Sequence, residues 1–157
     1  MESYKQFYKY AKKLALKWRH TKQMIIDKLL NKGATISFVE QIVMSLSNEG
    51  IIDDEKVFQL DIFAMEEKRY GYKRVKEYLI KKNFDRRLIE SYVFNIGIEE
   101  DNCRYHFFKV IKKYKSYKYI DDEREKIRNY LKRCGFNDRI INEVIRAGIS
   151  YENVMWL

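Results

Sequence analysis

The chain has 157 residues, of which 46% are hydrophobic and 35% are charged, and its formal net charge at pH 7 is +9. This balance excludes an intrinsically disordered chain, and a sequence without a run of about 18 apolar residues does not encode a membrane-spanning helix. The two cysteines, Cys103 and Cys134, have neither the spacing of a metal site nor that of a disulfide framework. We therefore expect free thiols in a cytoplasmic protein.

The charge is unevenly distributed along the chain. Residues 1–50 carry 9 bases and 4 acids, residues 51–101 carry 10 and 12, and residues 102–157 carry 13 and 7. Basic ends around a slightly acidic middle indicate a body that contacts a polyanion or an acidic protein surface. A charge that only keeps the protein in solution is the alternative.

The first fifty residues predict three helices, because apolar residues recur at steps of three and four. The first helix spans residues 4–18. Thr21 caps the second helix, which ends at Gly33, and Thr35 or Ser37 opens the third. The same pattern then predicts helices over residues 53–69, 72–82 and 85–95, with Asp85 as a cap. In the last part of the chain it predicts helices over residues 101–117, 122–134 and 137–147, with Asn137 as a cap.

Asp53 and Asp54 follow Gly50 at the start of the fourth predicted helix. Two adjacent carboxylates, with Glu55 beside them, are compatible with a metal site or with acid–base chemistry. Their position favours capping, because acidic side chains stabilise the positive end of a helix dipole.

Three segments of the sequence resemble one another when they are aligned on Gly33, Asn83 and Gly135, which are 50 and 52 residues apart. A leucine lies four residues before each of these positions, and a valine or isoleucine lies six and ten residues after it. Such a period is typical of tandem helical arrays. The sequence therefore predicts an all-α fold, an elongated and curved array of three three-helix repeats at residues 1–50, 51–98 and 99–149, with a C-terminal tail at 150–157.

No constellation of residues indicates catalysis. His20 and His106 lie in different repeats, and the sequence contains no glycine-rich phosphate loop, nucleophile elbow or zinc-protease motif. We expect both histidines to be structural. We expect no enzyme, no cofactor and no metal.

Cations interleaved with tyrosines are the stronger functional signal. Lysines from 109 to 118 alternate with Tyr114, Tyr117 and Tyr119, and the helix predicted over residues 72–82 is also basic. Lysines can follow phosphates while tyrosines stack on bases, although the same tyrosines could instead fill the core.

Several segments together resemble the RecX family. Residues 50–54 (GIIDD) are similar to that family's G-x-I-D-D junction, and residues 131–136 (LKRCGF) to its closing L-x-R-R-G-F. Residues 69–75 (RYGYKRV), with Leu79 and the turn at 82–84, are similar to its second-repeat pattern, and Thr21 with residues 29–33 (LLNKG) is similar to its first. The resemblance spans residues 10–147 in the family's order.

This resemblance implies a regulator of the RecA recombinase, built from three-helix repeats. Such proteins bind the RecA–single-stranded-DNA filament and mostly inhibit its ATPase, its growth and strand exchange. We expect a monomer whose partners are the RecA filament and the single-stranded DNA within it, with no membrane. The expected contact residues are Lys73, Arg74, Lys76, Arg86, Arg87, Lys109, Lys112, Lys113 and Lys115.

Two alternatives remain open at this point. One is a nucleic-acid-binding helical protein that acts alone through its Lys/Tyr-rich basic surface. The other is a helical adaptor that uses the apolar tail at residues 155–157.

Overall fold

Nine helices and no strand form within the residues that the computed structural model describes, which are residues 3–93, 95–114 and 120–155. The predicted all-α class is therefore confirmed for this part of the chain. The helices are α1 (Tyr4–Trp18), α2 (Lys22–Asn31), α3 (Ile36–Asn48), α4 (Asp54–Glu67), α5 (Tyr72–Lys81), α6 (Arg86–Ser91), α7 (Ile96–Tyr114), α8 (Ile120–Arg133) and α9 (Asp138–Met155).

Most helices begin where the sequence predicts a cap. Thr21 and Thr35 each accept a hydrogen bond from a backbone amide three residues later, at 3.3 Å, so Thr35 rather than Ser37 opens α3. Asp53 Oδ1 accepts from the Lys56 amide at 2.9 Å, which confirms capping at the aspartate pair. Asp85 caps α6 by accepting from the Arg87 amide, and Asn137 caps α9 by accepting from the Ile140 amide. These bonds satisfy amides that have no partner inside the helix.

The three aligned turns share one backbone shape. Gly33, Asn83 and Gly135 have φ angles of 91°, 55° and 97°, all in the left-handed region. A helix ends in this conformation when the chain must turn sharply, and asparagine tolerates it better than most side chains. The interpretation of Asn83 as a substitute for glycine is confirmed.

Three bounds differ from the sequence prediction by four or more residues. Helix α6 ends at Ser91 instead of residue 95, and α7 begins at Ile96 instead of residue 101. Asn95 explains both differences, because its Oδ1 accepts from the Gly97 amide at 2.9 Å and its carbonyl accepts from Glu99. Asn95 thus opens α7 and does not continue α6. Helix α9 also continues beyond residue 147, to Met155.

The chain divides into two compact units. Unit 1 comprises residues 1–62 and 79–91, and unit 2 comprises residues 63–78 and 92–157. In unit 1, helices α1, α2 and α3 pack on one another around Ile25, Leu29, Ile42 and Leu46, all fully buried. In unit 2, helices α7, α8 and α9 do the same around a second core, which includes Phe107, Leu131 and Ile141.

Each unit contains one close contact between a helix start and a later turn. In unit 1, Thr21 Oγ1 donates to the carbonyl of Lys82 at 2.8 Å. In unit 2, the Gly71 amide donates to the carbonyl of Cys134 at 2.9 Å. Thr21 and Gly71 both lie twelve residues before an aligned turn, and Lys82 and Cys134 both lie one residue before the next. The same junction is therefore built twice, once in each unit.

A carboxylate completes each junction. The Lys22 amide, the first of α2, donates to Asp54 Oδ1 at 2.7 Å, and the Tyr72 amide, the first of α5, donates to Glu99 Oε1 at 3.2 Å. Each acid comes from the second helix further along the chain, Asp54 from α4 and Glu99 from α7. Burial is the main cause that raises the pKa of each carboxyl. These acids thus act as helix caps, and the described residues contain no cluster of His, Cys, Asp or Glu that could hold a metal ion.

Candidate functional site

A basic groove runs between α7 and α8 in unit 2. Its volume is about 1140 Å³. Its lining combines five cations with an amide, a phenol and one valine: Lys109, Val110, Lys112, Lys126, Asn129, Tyr130, Lys132 and Arg133. Of the cations predicted from the sequence, Lys109 and Lys112 lie in this groove.

Helix α8 supplies the other wall of the basic groove, which the sequence analysis did not predict. Lys126, Asn129, Tyr130 and Arg133 are spaced by three, four and seven residues. Side chains at this spacing share one helix face. This periodicity of polar residues was the signal that could have identified α8 as part of the site.

The basic groove keeps a positive charge after its ion pairs are taken into account. Lys126 pairs with Glu123 at 2.8 Å, and Lys132 pairs with Asp138 at 2.9 Å. Among the described residues, Lys109, Lys112 and Arg133 form no ion pair. Three cations without an acidic partner in the described part of the chain favour an anionic ligand such as a phosphate backbone.

Arg74 on α5 is fixed at the edge of the basic groove. Its guanidinium lies 3.9 Å from the centre of the Tyr70 ring, and its Nη1 donates to the carbonyl of Arg133 at 2.8 Å. An arginine that stacks on an aromatic ring and also donates a hydrogen bond is held in one orientation. Arg74 and Lys109, two predicted cations that are 35 residues apart in sequence, both lie near enough to His106 for their charges to act on it.

His106 lies buried behind these cations, with 4% of its surface exposed. Its Nε2 is 3.1 Å from the carbonyl of Lys68, and its Nδ1 is 3.1 Å from the hydroxyl of Tyr130. Because a carbonyl only accepts, we assign the proton of the neutral ring to Nε2, which leaves Nδ1 to accept from Tyr130. The imidazole therefore ties α7 to α8 and to the end of α4, as the structural interpretation predicted.

Burial sets the protonation of this cluster. It lowers the pKa of His106, and the charges of Lys109 and Arg74 lower it further. Burial also raises the pKa of Tyr130 to about 12 and the pKa of the Cys134 thiol above its usual value. All three groups are therefore neutral at pH 7. Both cysteines are buried, and neither forms a disulfide.

The remaining predicted contact residues lie elsewhere on the two units. Lys73 and Lys76 are exposed on α5, where Lys76 Nζ lies 5.8 Å from the centre of the Tyr72 ring. In unit 1, Arg86 pairs with Glu90 at 2.6 Å, and Arg87 is exposed beside it on α6.

The rest of the Lys/Tyr-rich segment lies outside the part of the chain that the structure describes. The side chain of Lys113 and the whole of Lys115 fall outside the described residues, as do Tyr117 and Tyr119.

Within the described part of the chain, no helix is long and apolar enough to cross a membrane.

Two solved structures that share this fold are RecX proteins. RecX from Lactobacillus salivarius superimposes with a TM-score of 0.66 at 20% sequence identity, over 90% of this chain and 96% of that chain. A second crystal structure, of a regulatory protein RecX, gives a TM-score of 0.65 at 17% identity, over 90% of this chain and 72% of that one. No protein-family model and no curated protein matches the sequence. The likeness confirms the fold that the sequence motifs imply.

Proposed function

We propose that this chain is a RecX-type regulator, which binds the RecA–single-stranded-DNA filament and mostly inhibits its ATPase and its growth. The proposal is supported by the agreement between two kinds of likeness to RecX proteins, one in the fold and one in the sequence motifs. The fold is that of RecX structures over nine-tenths of the chain, and the RecX-like motifs fall at its helix junctions. A shared fold alone would not indicate a function.

The junction contacts give those motifs a physical meaning. The RecX-like segment at residues 69–75 contains Gly71, and the one at residues 131–136 contains Cys134 and Gly135. These two segments are hydrogen-bonded to each other through the Gly71 amide. Residues that resemble the family thus build the contact that places Arg74 beside the basic groove.

The basic groove supports contact with the DNA of the filament. Lys109, Lys112 and Arg133 present positive charge that phosphates would neutralise, and the binding energy would come largely from counterion release. A regulator of this kind acts by occupying a surface and needs no chemistry of its own.

A paired charge reversal tests the basic groove. We expect Lys109→Glu with Lys112→Glu to weaken binding to the filament at least tenfold. The slope of log affinity against log salt should fall by about 1.4, because each phosphate contact to a single strand contributes about 0.7. Lys5→Glu with Lys9→Glu makes the same charge change at two exposed positions of α1 and is the control. Equal losses in the two variants would refute the groove as a specific contact.

RecA's ATP hydrolysis on single-stranded DNA, titrated with this protein, tests the function itself. We expect inhibition at or below one molecule per RecA subunit, with the protein's own affinity for the DNA too weak to displace RecA. Unchanged hydrolysis at stoichiometric excess would refute the proposal.

A second function is favoured by the phenol that lines the basic groove. Tyr130 lies among the cations, and its ring could stack on a base while they follow the backbone. A nucleic-acid-binding protein that acts alone would bind single-stranded DNA tightly without RecA. It would inhibit hydrolysis only as far as it displaces RecA from the strand.

A further inference from the structure

Unit 1 contains a second groove, between α2 and α3, with a different chemistry. Its volume is about 500 Å³, and six of its ten lining residues are apolar. The lining consists of Lys22, Ile26, Leu30, Ile36, Val39, Glu40, Val43, Met44, Ser47 and Asn48. We call it the apolar groove.

The walls of the apolar groove are exposed to an unusual degree for large hydrophobic residues. Leu30, Ile36 and Met44 are 43%, 70% and 62% exposed, whereas Val39 and Val43 beneath them are buried. Single exposed apolar residues are common on protein surfaces, but several around one groove indicate a binding surface.

The equivalent helix pair in unit 2 shows that the fold does not require these exposed apolar residues. A shift of 102 residues, which superimposes Gly33 on Gly135, places Arg128, Lys132, Asp138 and Arg146 at the positions of Ile26, Leu30, Ile36 and Met44. A groove of about 320 Å³ occurs there too, lined by Arg124, Arg128, Asn142, Ile145 and Arg146.

The buried positions of the two helix pairs keep their apolar character. Val39 and Val43 in unit 1 correspond to Ile141 and Ile145 in unit 2, and all four side chains are buried. The core of the helix pair therefore needs apolar residues, while its exposed rim is stable with charges. The apolar rim in unit 1 must have a cause other than folding.

We infer that the apolar groove is a docking site for an amphipathic helix of a protein partner. Such helices lay a stripe of large apolar side chains, spaced by three, four and seven residues, into a hydrophobic groove. The partner's identity rests on the proposed function and is a RecA subunit of the filament.

The charges of the apolar groove define the partner further. Lys22 and Glu40 both line it, so their charges cancel and the groove as a whole attracts no polyanion. A helix with an acidic residue near Lys22 and a basic residue near Glu40 is complementary to this arrangement. A groove without net positive charge, lined mainly by apolar residues, favours a protein helix over a phosphate backbone.

The residues of unit 2 provide the test variant. Ile26→Arg, Ile36→Asp and Met44→Arg, made together, replace three groove residues by their unit 2 counterparts. The control is Leu16→Arg, Leu60→Arg and Ile80→Asp, which makes the same charge change at apolar residues of unit 1 that are 40% to 63% exposed and do not line the groove.

Binding of each variant to preformed RecA filaments on single-stranded DNA is the measurement. We expect the groove variant to bind at least tenfold more weakly than wild type, and the control variant to bind within twofold of wild type. Thermal unfolding should show both variants folded, because unit 2 has the groove variant's residues at the equivalent positions and because the three control residues are exposed. A groove variant that binds like wild type, or a control that loses as much, overturns the inference.

Failure of the inference is distinguishable from failure of the proposed function. If wild type does not bind the filament, the proposed function is wrong, and RecA is then not the partner of the apolar groove. If wild type binds and the groove variant binds equally well, only the docking site is wrong.

A photocrosslink keeps the inference testable if the groove variant does not fold. Ser47→Cys places a thiol in the groove for a benzophenone maleimide, and the two native cysteines are buried in the folded chain. A crosslink to a helical RecA segment with an apolar stripe supports the inference. A crosslink to DNA or to a second copy of this chain, or the absence of any crosslink to RecA, overturns it.

Discussion

Replacement of Gly71 by alanine tests the junction that positions Arg74. A Cβ atom at Gly71 would lie 2.5 Å from the carbonyl carbon and oxygen of Gly135 and 2.7 Å from Cδ1 of Phe136. Two of these three atoms belong to the backbone, so they cannot move aside as the end of a side chain can. Because carbon atoms pack at about 3.5 to 4 Å, the two turns would have to separate by about 1 Å.

The cost of this separation follows from the contacts that it disturbs. Overpacking of a tight contact costs about 1 to 3 kcal/mol, and the hydrogen bond from Gly71 to Cys134, now 2.9 Å, would be stretched at a cost of about 1 kcal/mol. Alanine offsets about 0.4 to 1 kcal/mol of this loss in unfolding free energy, because it restricts the unfolded chain more than glycine does. The net loss of unfolding free energy is about 1 to 3 kcal/mol. For a chain of this size, this lowers the melting temperature by roughly 2 to 12 °C.

Thermal unfolding followed by far-UV circular dichroism measures the effect. Gly97→Ala is the control, because its Cβ would meet only Asn95 Oδ1, at 3.3 Å, near the start of α7. We expect the control to melt at or slightly above the wild-type temperature, since alanine favours a helix over glycine. A Gly71→Ala protein that melts with the control would show that the two turns are not in tight contact, and the reasoning would be refuted.

Three further predictions concern other buried or partly buried polar contacts within the two units. Thr21→Val removes both hydrogen bonds of the hydroxyl and should cost about 1 to 2 kcal/mol of unfolding free energy in denaturant titration, whereas Thr21→Ser should cost much less. Lys82→Met leaves the buried Asp61, whose Oδ2 lies 3.3 Å from Lys82 Nζ, without its cation, and should destabilise by about 3 kcal/mol. Adding Asp61→Leu should recover most of that loss, and a double variant as unstable as the single one would contradict this account. The pKa of His106 is lower in the folded chain than its usual 6.5, so its contribution to stability is complete above pH 6.5 and is lost as the pH falls through the folded value. Wild type should therefore lose more stability than His106→Gln between pH 7.5 and 5, and parallel pH profiles would contradict this.

Features that depend on nearby residues could be predicted from the sequence. The left-handed turn at Asn83 followed from its alignment with Gly33 and Gly135, because backbone shape at a helix end is a local property. The caps at Thr21 and Asp53 are likewise set within four residues of the chain. The boundary at Asn95 was wrong because an asparagine can end one helix or open the next, and only the chain that follows decides between them.

Features that depend on distant residues could not be predicted. Arg19 and Arg69 adopt left-handed φ angles of 48° and 55°, although arginine has no preference for them. At each site, a hydrogen bond from a residue distant in sequence holds the backbone in this conformation. Lys82 Nζ donates to the carbonyl of Arg19 at 3.3 Å, and His106 Nε2 donates to the carbonyl of Lys68, next to Arg69. Each contact joins residues more than 35 positions apart, which no local pattern reveals.

Only part of the candidate site could be predicted, because the basic groove joins residues that are distant in sequence. The run of lysines near residue 109 marked one wall of the basic groove, since it is contiguous in sequence. The opposite wall comes from α8, where cations alternate with Glu123 and Glu125. The local net charge is therefore small, and the sequence does not indicate that one face of the helix is basic. Arg74 was expected at a contact surface, but its bond to the Arg133 carbonyl is a product of the junction.

The two matched junctions indicate how repeats of the same design can carry different binding surfaces. The matched contacts of Thr21 with Lys82 and of Gly71 with Cys134 support our proposal that three repeats of about fifty residues build the chain. Each of these contacts ends on a backbone carbonyl and does not use the outer side chains, which are therefore free to differ. Ile26 and Arg128 occupy the same place in two helix pairs that fold alike, yet one faces an apolar groove and the other a groove lined by arginines. Divergence at such positions changes what a repeat binds at little cost to folding, because the core and junction residues that stabilise it are kept.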